Sequence, residues 1–237
     1  MITQFNDFNA QHELTRPPIS DQEKIVQEYL GTFERRMLIL ENPWNFDVFN
    51  GQSVKPFLKN LGNLISKDIQ VGHRFIDSKQ GLSYYIKHPG GLIWENPATY
   101  GCTAFVFETH GSKQNGMELP VNNVNKQDIL DNCTGFKESP NILYFGGCGM
   151  FAGQEGNQFG WDLLQASGSR GIFGFSSENV SFAIGTLISL HFLSMFYLSF
   201  DLGDPFEHLP DIYSSFISEY PVAASEDVGF TMFFEEG

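Results

Sequence analysis

The chain has few basic residues for its length. Its 237 residues include 14 Lys and Arg against 28 Asp and Glu, which gives a formal net charge of −14. Contacts from Lys and Arg to phosphates dominate the affinity of proteins for nucleic acids. This charge balance therefore argues against a nucleic-acid partner, while it permits cationic partners.

Cysteine is also scarce. The 3 cysteines are an odd number, and no charged and then apolar signal segment opens the sequence. A framework of disulfides is therefore not expected, and a reducing, cytoplasmic setting is predicted. The cysteines are Cys102, Cys133 and Cys148.

Patterns that bind metals or phosphates are missing as well. Cys102 and Cys133 have no CxxC spacing, and the histidines show no HxxxH pairing. The glycines around position 147 lack the Lys-Ser/Thr pair of a phosphate-binding loop. No metal and no cofactor are therefore predicted.

The sequence contains no Pro/Ser/Gly-rich linker that would divide it. Residues 35–200 are expected to form one α/β domain, preceded by an arm and a peripheral helix over residues 1–34. Residues 201–237 are expected to be an acidic extension packed on that domain.

One long stretch, residues 181–200, has no charged side chain and approaches the length of a membrane span. Two structures remain open for it, a buried core helix and a membrane helix. Polar residues inside the run, such as Thr186 and Ser189, and acidic rather than basic flanks favour the core helix. No membrane association is therefore predicted.

Short apolar runs alternate with helical patterns along the chain. This alternation predicts a doubly wound, mostly parallel α/β sheet flanked by helices. Strands are predicted at 37–40, 69–76, 102–107, 142–145, 171–175 and 230–234. Helices are predicted at 54–65, 82–87, 126–133, 161–166, 181–200 and 212–217, with a small hairpin or flap within 112–125.

Two of the predicted strands each end in a chemically reactive side chain. The strand at 102–107 leads to His110, and the strand at 142–145 leads to Cys148. If the two strands are parallel neighbours, their carboxyl ends lie only about 5 Å apart, at the edge where open α/β sheets bind ligands. A nearby imidazole can take the proton of a thiol, so the pair predicts a cysteine nucleophile with a histidine base.

Glycines surround this predicted pair. Backbone N–H groups of Gly111 and of Cys148, with Gly149 beside it, are candidate donors to an oxyanion. Gly146 and Gly147 leave room for a substrate next to the cysteine. Glu108 falls on the same strand face as His110 by alternation. Glu108 is therefore either a residue that orients the imidazole or a solvated or salt-bridged carboxylate.

These segments resemble the caspase-like superfamily (clan CD) of cysteine peptidases, which includes caspases, metacaspases, legumains, gingipains and CHAT domains. The resemblance rests on an apolar strand ending in His-Gly, an apolar strand leading to Gly-Cys-Gly, and the strand Gly-Ile-Phe-Gly-Phe-Ser. It covers residues 35–200, and the sequence at 148–151 is most similar to legumains and CHAT domains. It implies a flavodoxin-like three-layer sandwich, and a His110–Cys148 dyad that hydrolyses peptide bonds through an acyl-enzyme.

The resemblance also implies where a substrate side chain is held. In this family the substrate side chain is held by three loops. The matching loops here contain Asp47 after the first strand, Gly146 and Gly147 before the cysteine, and Ser176 and Glu178 after the fifth strand. The two carboxylates suggest a pocket for Arg or Lys, although the sequence favours the alternative that each caps an adjacent helix. A protein or peptide substrate and an activating or regulatory protein partner are expected.

Other functions remain open at this stage. One alternative is a catalytically silent caspase-like module that binds a partner through its acidic tail or the 112–125 flap. The same pair of residues would also serve an acyltransferase or an esterase.

Overall fold

The computed structural model describes residues 35–42, 53–95 and 101–234. Its central sheet contains β1 (Arg36–Glu41), β2 (Gln70–Phe75), β3 (Ala104–Glu108), β6 (Ile142–Phe145), β7 (Gly171–Phe175) and β8 (Phe230–Phe233). The strand order is β2-β1-β3-β6-β7-β8. All neighbours pair in parallel except β8, which runs antiparallel to β7. A separate hairpin joins β4 (His110–Ser112) to β5 (Gly116–Glu118).

The helices connect these strands and cover the sheet. They are α1 (Lys55–Lys59), α2 (Leu61–Ile65), α3 (Lys79–Ile86), α4 (Leu92–Glu95), α5 (Lys126–Asn132), α6 (Gly153–Ser167), α7 (Phe182–Ser199) and α8 (Leu209–Glu219). Short 3₁₀ turns lie at Phe136–Glu138 and Pro221–Ala224. Side-chain caps begin several helices; Asn125 and Asp128, for example, form a reciprocal capping box at the start of α5.

Alternate residues of each strand enter two different hydrophobic cores. Val106 and Tyr144 face the core under α1, α2, α7 and α8, whereas Phe105 and Phe145 face the core under α3, α5 and α6. Strands buried on both faces explain the nearly continuous apolar runs in the sequence. The prediction of a mostly parallel α/β sheet flanked by helices is confirmed.

Most element predictions agree with the structure, but several helices need correction. The helix predicted at 82–87 lies at Lys79–Ile86, and the helix Leu92–Glu95 was not predicted. The predicted helix at 54–65 is two short helices separated at Asn60. The helix predicted from residue 161 begins at Gly153. The helix predicted at 212–217 extends over Leu209–Glu219. The predictions for residues 1–34, including the peripheral helix, lie outside the described residues.

The apolar stretch forms α7, which is long and apolar enough to cross a membrane by length and composition alone. In the structure, Phe192, Leu193 and Phe196 on this helix are fully buried against the sheet. Ile184 and Leu187 are exposed. The predicted packing of α7 on the sheet is therefore present.

Residues 201–234 complete one edge of the sheet. The strand β8 pairs with β7, and Ile212 and Phe216 of α8 are buried in the same core as α7. The opposite edge is β2, as its more polar sequence predicts.

Candidate active site

The carboxyl ends of β3 and β6 bring His110 and Cys148 to one place. The two strands are parallel neighbours, with Phe107 paired to Phe145. His110 follows β3 by two residues, and Cys148 follows β6 by three. The predicted adjacency of these two strands is therefore confirmed.

The loops that carry the two side chains pack directly on each other. A Cβ atom added at Gly147 would lie 3.1 Å from the Cα and the backbone nitrogen of Gly111. A Cβ at Gly111 would lie 2.7 Å from the carbonyl oxygen of Cys148. Only glycine permits this close approach of two backbones, so these glycines hold the histidine loop against the cysteine loop.

A cavity of about 210 Å³ opens beside the pair. His110 and Cys148 both line it, together with Gly146. Its other described lining residues come from the ends of β1 and β3, the start of α1, and the first turns of α7: Glu41, Asn42, Val54, Glu108, Thr109, Val180, Ser181, Phe182, Gly185 and Thr186.

The Cys148 thiol is partly buried and held by a backbone acceptor. Its Sγ donates to the carbonyl oxygen of Val180 at 3.3 Å. Burial raises the pKa of this thiol, and the Glu108 carboxylate raises it further, against the opposing effect of the hydrogen bond to Val180. The thiol is therefore protonated near neutral pH, and it must lose its proton before it can act as a nucleophile.

The His110 imidazole is neutral at the same pH. Desolvation lowers its pKa to about 4, although the Glu118 carboxylate acts in the opposite direction. Glu118 lies across the hairpin, where it pairs with His110. A neutral imidazole can accept a proton. At rest the two side chains are therefore a thiol and a neutral imidazole rather than a thiolate and an imidazolium.

Two carboxyl groups also line the cavity. Glu41 ends β1 and Glu108 ends β3, and the strand register places them side by side. Desolvation and the neighbouring Glu41 charge raise the pKa of Glu108 to about 8, and a hydrogen bond from Ser189 opposes the shift. Glu108 is therefore largely protonated at neutral pH in the empty site.

The partners of these two carboxyl groups differ. Glu41 accepts hydrogen bonds from the Val54 N–H at 2.8 Å and the Ser53 hydroxyl at 2.9 Å. Its Oε2 also lies 2.7 Å from Nε2 of the buried His73. Among the described residues, Glu108 accepts only a long bond of 3.3 Å from the Ser189 hydroxyl, which in turn contacts Tyr144 Oη at 2.8 Å. The oxygens of Glu41 are thus well occupied by the fold, whereas Glu108 has a weak partner.

The remaining predicted site residues fall in three different positions. The Gly149 N–H donates to the Ser177 carbonyl at 2.7 Å, so this amide is already used within the fold and not directed to an oxyanion. Ser176 donates its N–H and its hydroxyl to the Gly229 carbonyl. Glu178 is exposed and packs over Gly149. Neither Ser176 nor Glu178 is among the described residues that line the cavity, and Asp47 lies outside the described residues.

Sequence reasoning missed several residues of this site. Glu41 is a charged residue at the end of an apolar strand, which is a detectable signal. Thr186 and Ser189 were visible only as polar interruptions of an apolar helix. The orientation of Glu108 toward His110 was left open by the sequence, and the structure places Glu108 at the Ser189 hydroxyl.

The described parts of the chain contain no group of three or more His, Cys, Asp or Glu residues positioned to hold a metal ion. The site is thus built from a thiol, an imidazole and two carboxyl groups around one cavity. These groups can perform nucleophilic and proton-transfer chemistry with their own atoms.

In comparisons with known proteins, no family model and no curated protein matches this chain. The resemblance to caspase-like peptidases therefore rests on the residues of the His-Gly, Gly-Cys-Gly and Gly-Ile-Phe-Gly-Phe-Ser segments.

Proposed function

We propose that this chain is a cysteine peptidase with a caspase-like arrangement, in which Cys148 is the nucleophile and His110 is the base. The observation that supports this proposal best is the close packing of the His110 and Cys148 loops through Gly111 and Gly147, with both side chains on one cavity. The parallel order of β1, β3, β6 and β7 agrees with the implied fold.

In this reaction the imidazole takes the thiol proton as Sγ attacks the carbonyl carbon of the substrate. The resulting imidazolium gives that proton to the departing amine nitrogen, the C–N bond breaks, and a thioester remains on Cys148. Water then attacks the thioester while His110 accepts a proton from it. Release of the acid product returns the proton to the sulfur and restores the resting pair.

The Gly111 and Cys148 backbone N–H groups are the proposed donors to the tetrahedral oxyanion. Gly111 lies directly against the cysteine loop. Pre-positioned backbone donors stabilise developing negative charge because they need no reorganisation during the reaction.

The proposal is tested with a panel of peptidyl acyloxymethyl ketones that differ in the residue next to the reactive carbonyl. Covalent addition is measured by intact-protein mass spectrometry. We expect at least one peptide to modify the wild-type chain once, and Cys148→Ala and His110→Ala to abolish the addition. Cys102 and Cys133 are buried and serve as internal controls. His208→Ala, at an exposed histidine, should leave the rate unchanged.

A catalytically silent binding module is the second candidate, favoured by the protonated thiol that donates to Val180. Iodoacetamide distinguishes the two functions because it needs an accessible thiol but no catalysis. If iodoacetamide modifies Cys148 while no peptide or ester reagent does so, the silent module is supported and the peptidase proposal fails.

A further inference from the structure

The cavity beside Cys148 contains a carboxyl group that the proposed hydrolysis does not use. Glu108 lines the cavity, and its strongest described partner is the Ser189 hydroxyl at 3.3 Å. Its neighbour Glu41 is occupied by Ser53, Val54 and His73. Glu108 is thus the carboxyl group with acceptor capacity left for a ligand.

The charges around Glu108 favour a positive ligand. Glu41 and Glu108 occupy paired positions on adjacent strands, where neighbouring like charges disfavour each other. No Lys or Arg is among the described residues that line the cavity. A proton or an external cation must therefore compensate the second carboxylate, and the net charge of −14 attracts cations to the molecule as a whole.

A second polar group in the cavity wall has no partner among the described residues. Within that part of the chain the Thr186 hydroxyl makes no hydrogen bond, although the residue is only 6% exposed. Thr186 follows Phe182 by four residues and precedes Ser189 by three, so all three lie on one face of α7. Phe182 lines the cavity, and Ser189 contacts Glu108. The Thr186 side chain is thus directed to the same wall, where a ligand can satisfy its hydroxyl.

The remaining wall is apolar and the space is small. Val54, Val180 and Phe182 provide hydrocarbon surface in the cavity that Glu108 also lines. The volume of about 210 Å³ is below the roughly 300–1,000 Å³ of pockets for drug-sized ligands. One long side chain with an apolar stem and a charged end matches this combination.

We infer that the cavity binds an alkyl guanidinium or alkylammonium group, with its charged end on Glu108 and Thr186 and its stem along Val180 and Phe182. Glu41 does not bind the ligand itself, because its oxygens are engaged by Ser53, Val54 and His73. In the context of the peptidase proposal, on which this use rests, the cavity selects substrates with Arg or Lys next to the cleaved bond. The specificity carboxylate is then Glu108 rather than the exposed Glu178, which is not among the described residues that line the cavity.

Binding is tested without catalysis by titrating the wild-type chain with n-butylguanidinium, n-butylammonium and the neutral, isosteric n-butylurea. Calorimetry at pH 7 and low salt gives the three affinities. We expect each cation to bind at least tenfold more tightly than butylurea. Glu108→Gln should remove this difference, whereas Glu178→Gln, at an exposed carboxylate near the same loop, should retain it.

The Thr186→Val variant provides a second, isosteric test that does not depend on Glu108. Loss of the hydroxyl should weaken butylguanidinium binding about threefold to tenfold. Equal affinities for butylguanidinium and butylurea, or an unchanged cation preference in folded Glu108→Gln protein, would overturn the inference. Thermal unfolding of each variant confirms that the protein is folded.

Peptidyl acyloxymethyl ketones carrying arginine or its neutral analogue citrulline separate this inference from the peptidase proposal. If both proposals hold, the arginine reagent modifies Cys148 at least tenfold faster than the citrulline reagent, and Glu108→Gln equalises the rates. If butylguanidinium binds but no reagent reacts, the peptidase proposal fails and the cation site stands. If both reagents react equally and butylguanidinium does not bind preferentially, the cation site fails and the peptidase proposal stands.

Discussion

Glu108 is the residue whose ionisation differs most clearly from its usual behaviour in this site. Its pKa is raised to about 8 from an ordinary value of 4.5, because the carboxyl is desolvated and lies beside Glu41. The folded protein therefore keeps a proton that the unfolded chain releases between these two pH values. By linkage, the contribution of Glu108 to stability falls as pH rises through this interval and becomes constant above it.

The Glu108→Gln variant tests the direction of this pH dependence, because glutamine does not titrate. The free energy of unfolding of the variant, relative to wild type, should rise between pH 4.5 and pH 8 by an amount on the order of 3 kcal/mol. Urea unfolding at pH 4.5, 6, 7 and 9 measures the difference. Glu118→Gln is the matched control. A difference between wild type and Glu108→Gln that is independent of pH would contradict the raised pKa.

At the scale of an element, the turn after β6 must remain free of side chains where it passes Glu108. A Cβ atom added at Gly146 would lie 2.0 Å from Oε2 of Glu108. This contact is impossible without moving the carboxyl group or the turn, so Gly146→Ala should destabilise the fold by about 1–3 kcal/mol. Chemical denaturation measures the loss.

The control for Gly146→Ala is the same substitution at Gly185, in the first turns of α7. A Cβ at this position meets Val180 Cγ1 at 3.6 Å, an ordinary contact. Because alanine favours a helix over glycine, Gly185→Ala should leave stability unchanged or raise it by about 0.5–1 kcal/mol. Equal effects of the two substitutions would show that the Glu108 carboxyl does not occupy the space over Gly146.

The helix α7 contributes a fully buried aromatic side chain to the core. The Phe192 ring lies 4.4 Å from the Phe173 ring and 5.3 Å from the Phe230 ring, measured between centroids. Truncation of such a side chain leaves a cavity, so Phe192→Ala should lower the free energy of unfolding by about 3–5 kcal/mol.

Leu187→Ala is the control on the opposite side of α7, where the side chain is 56% exposed. It should change the stability by no more than about 0.5 kcal/mol. Urea unfolding of both variants tests whether α7 packs on the sheet as described. If Leu187→Ala lowers the free energy of unfolding as much as Phe192→Ala does, α7 does not pack on the sheet through its Phe192 face.

The strands were easier to predict from sequence than the helices. Strands buried on both faces have nearly continuous apolar sequences, so β6 and β7 were predicted with their observed bounds. The start of α6 was missed because Gly153, Gly156 and Gly160 lower its intrinsic helix propensity. Packing requires two of these glycines, since a Cβ at Gly156 would meet Phe151 and one at Gly160 would meet Phe233.

At the scale of the whole molecule, the site joins segments whose adjacency depends on strand order. The placement of His110 and Cys148 on one cavity was predictable because their strands are neighbours in the parallel part of the sheet. The approach of Glu41 to Glu108 depends on strand register. The approach of Ser189 to Glu108 and Tyr144 depends on helix packing. Local periodicity carries no signal of register between strands far apart in sequence.

The C-terminal part of the chain belongs to the same cooperative core as the site. β8 forms the antiparallel edge of the sheet beside β7. Phe230 packs against Phe175 and Phe216, and Phe233 packs against Phe151, which follows the cysteine loop. Removal of this strand would expose the edge of β7 and the aromatic rings beneath it.

A chain that ends at residue 228 should therefore lose cooperative unfolding or aggregate, because an unpaired, apolar strand edge promotes association. A chain that ends at residue 234 keeps β8 and should unfold at the wild-type denaturant midpoint. Circular dichroism and size-exclusion chromatography compare the two. Phe230→Ala is a milder change in the same strand, and it should lower the free energy of unfolding by about 3–5 kcal/mol. A soluble, cooperatively folded chain ending at residue 228 would mean that the core forms without β8 and that β8 is an accessory strand.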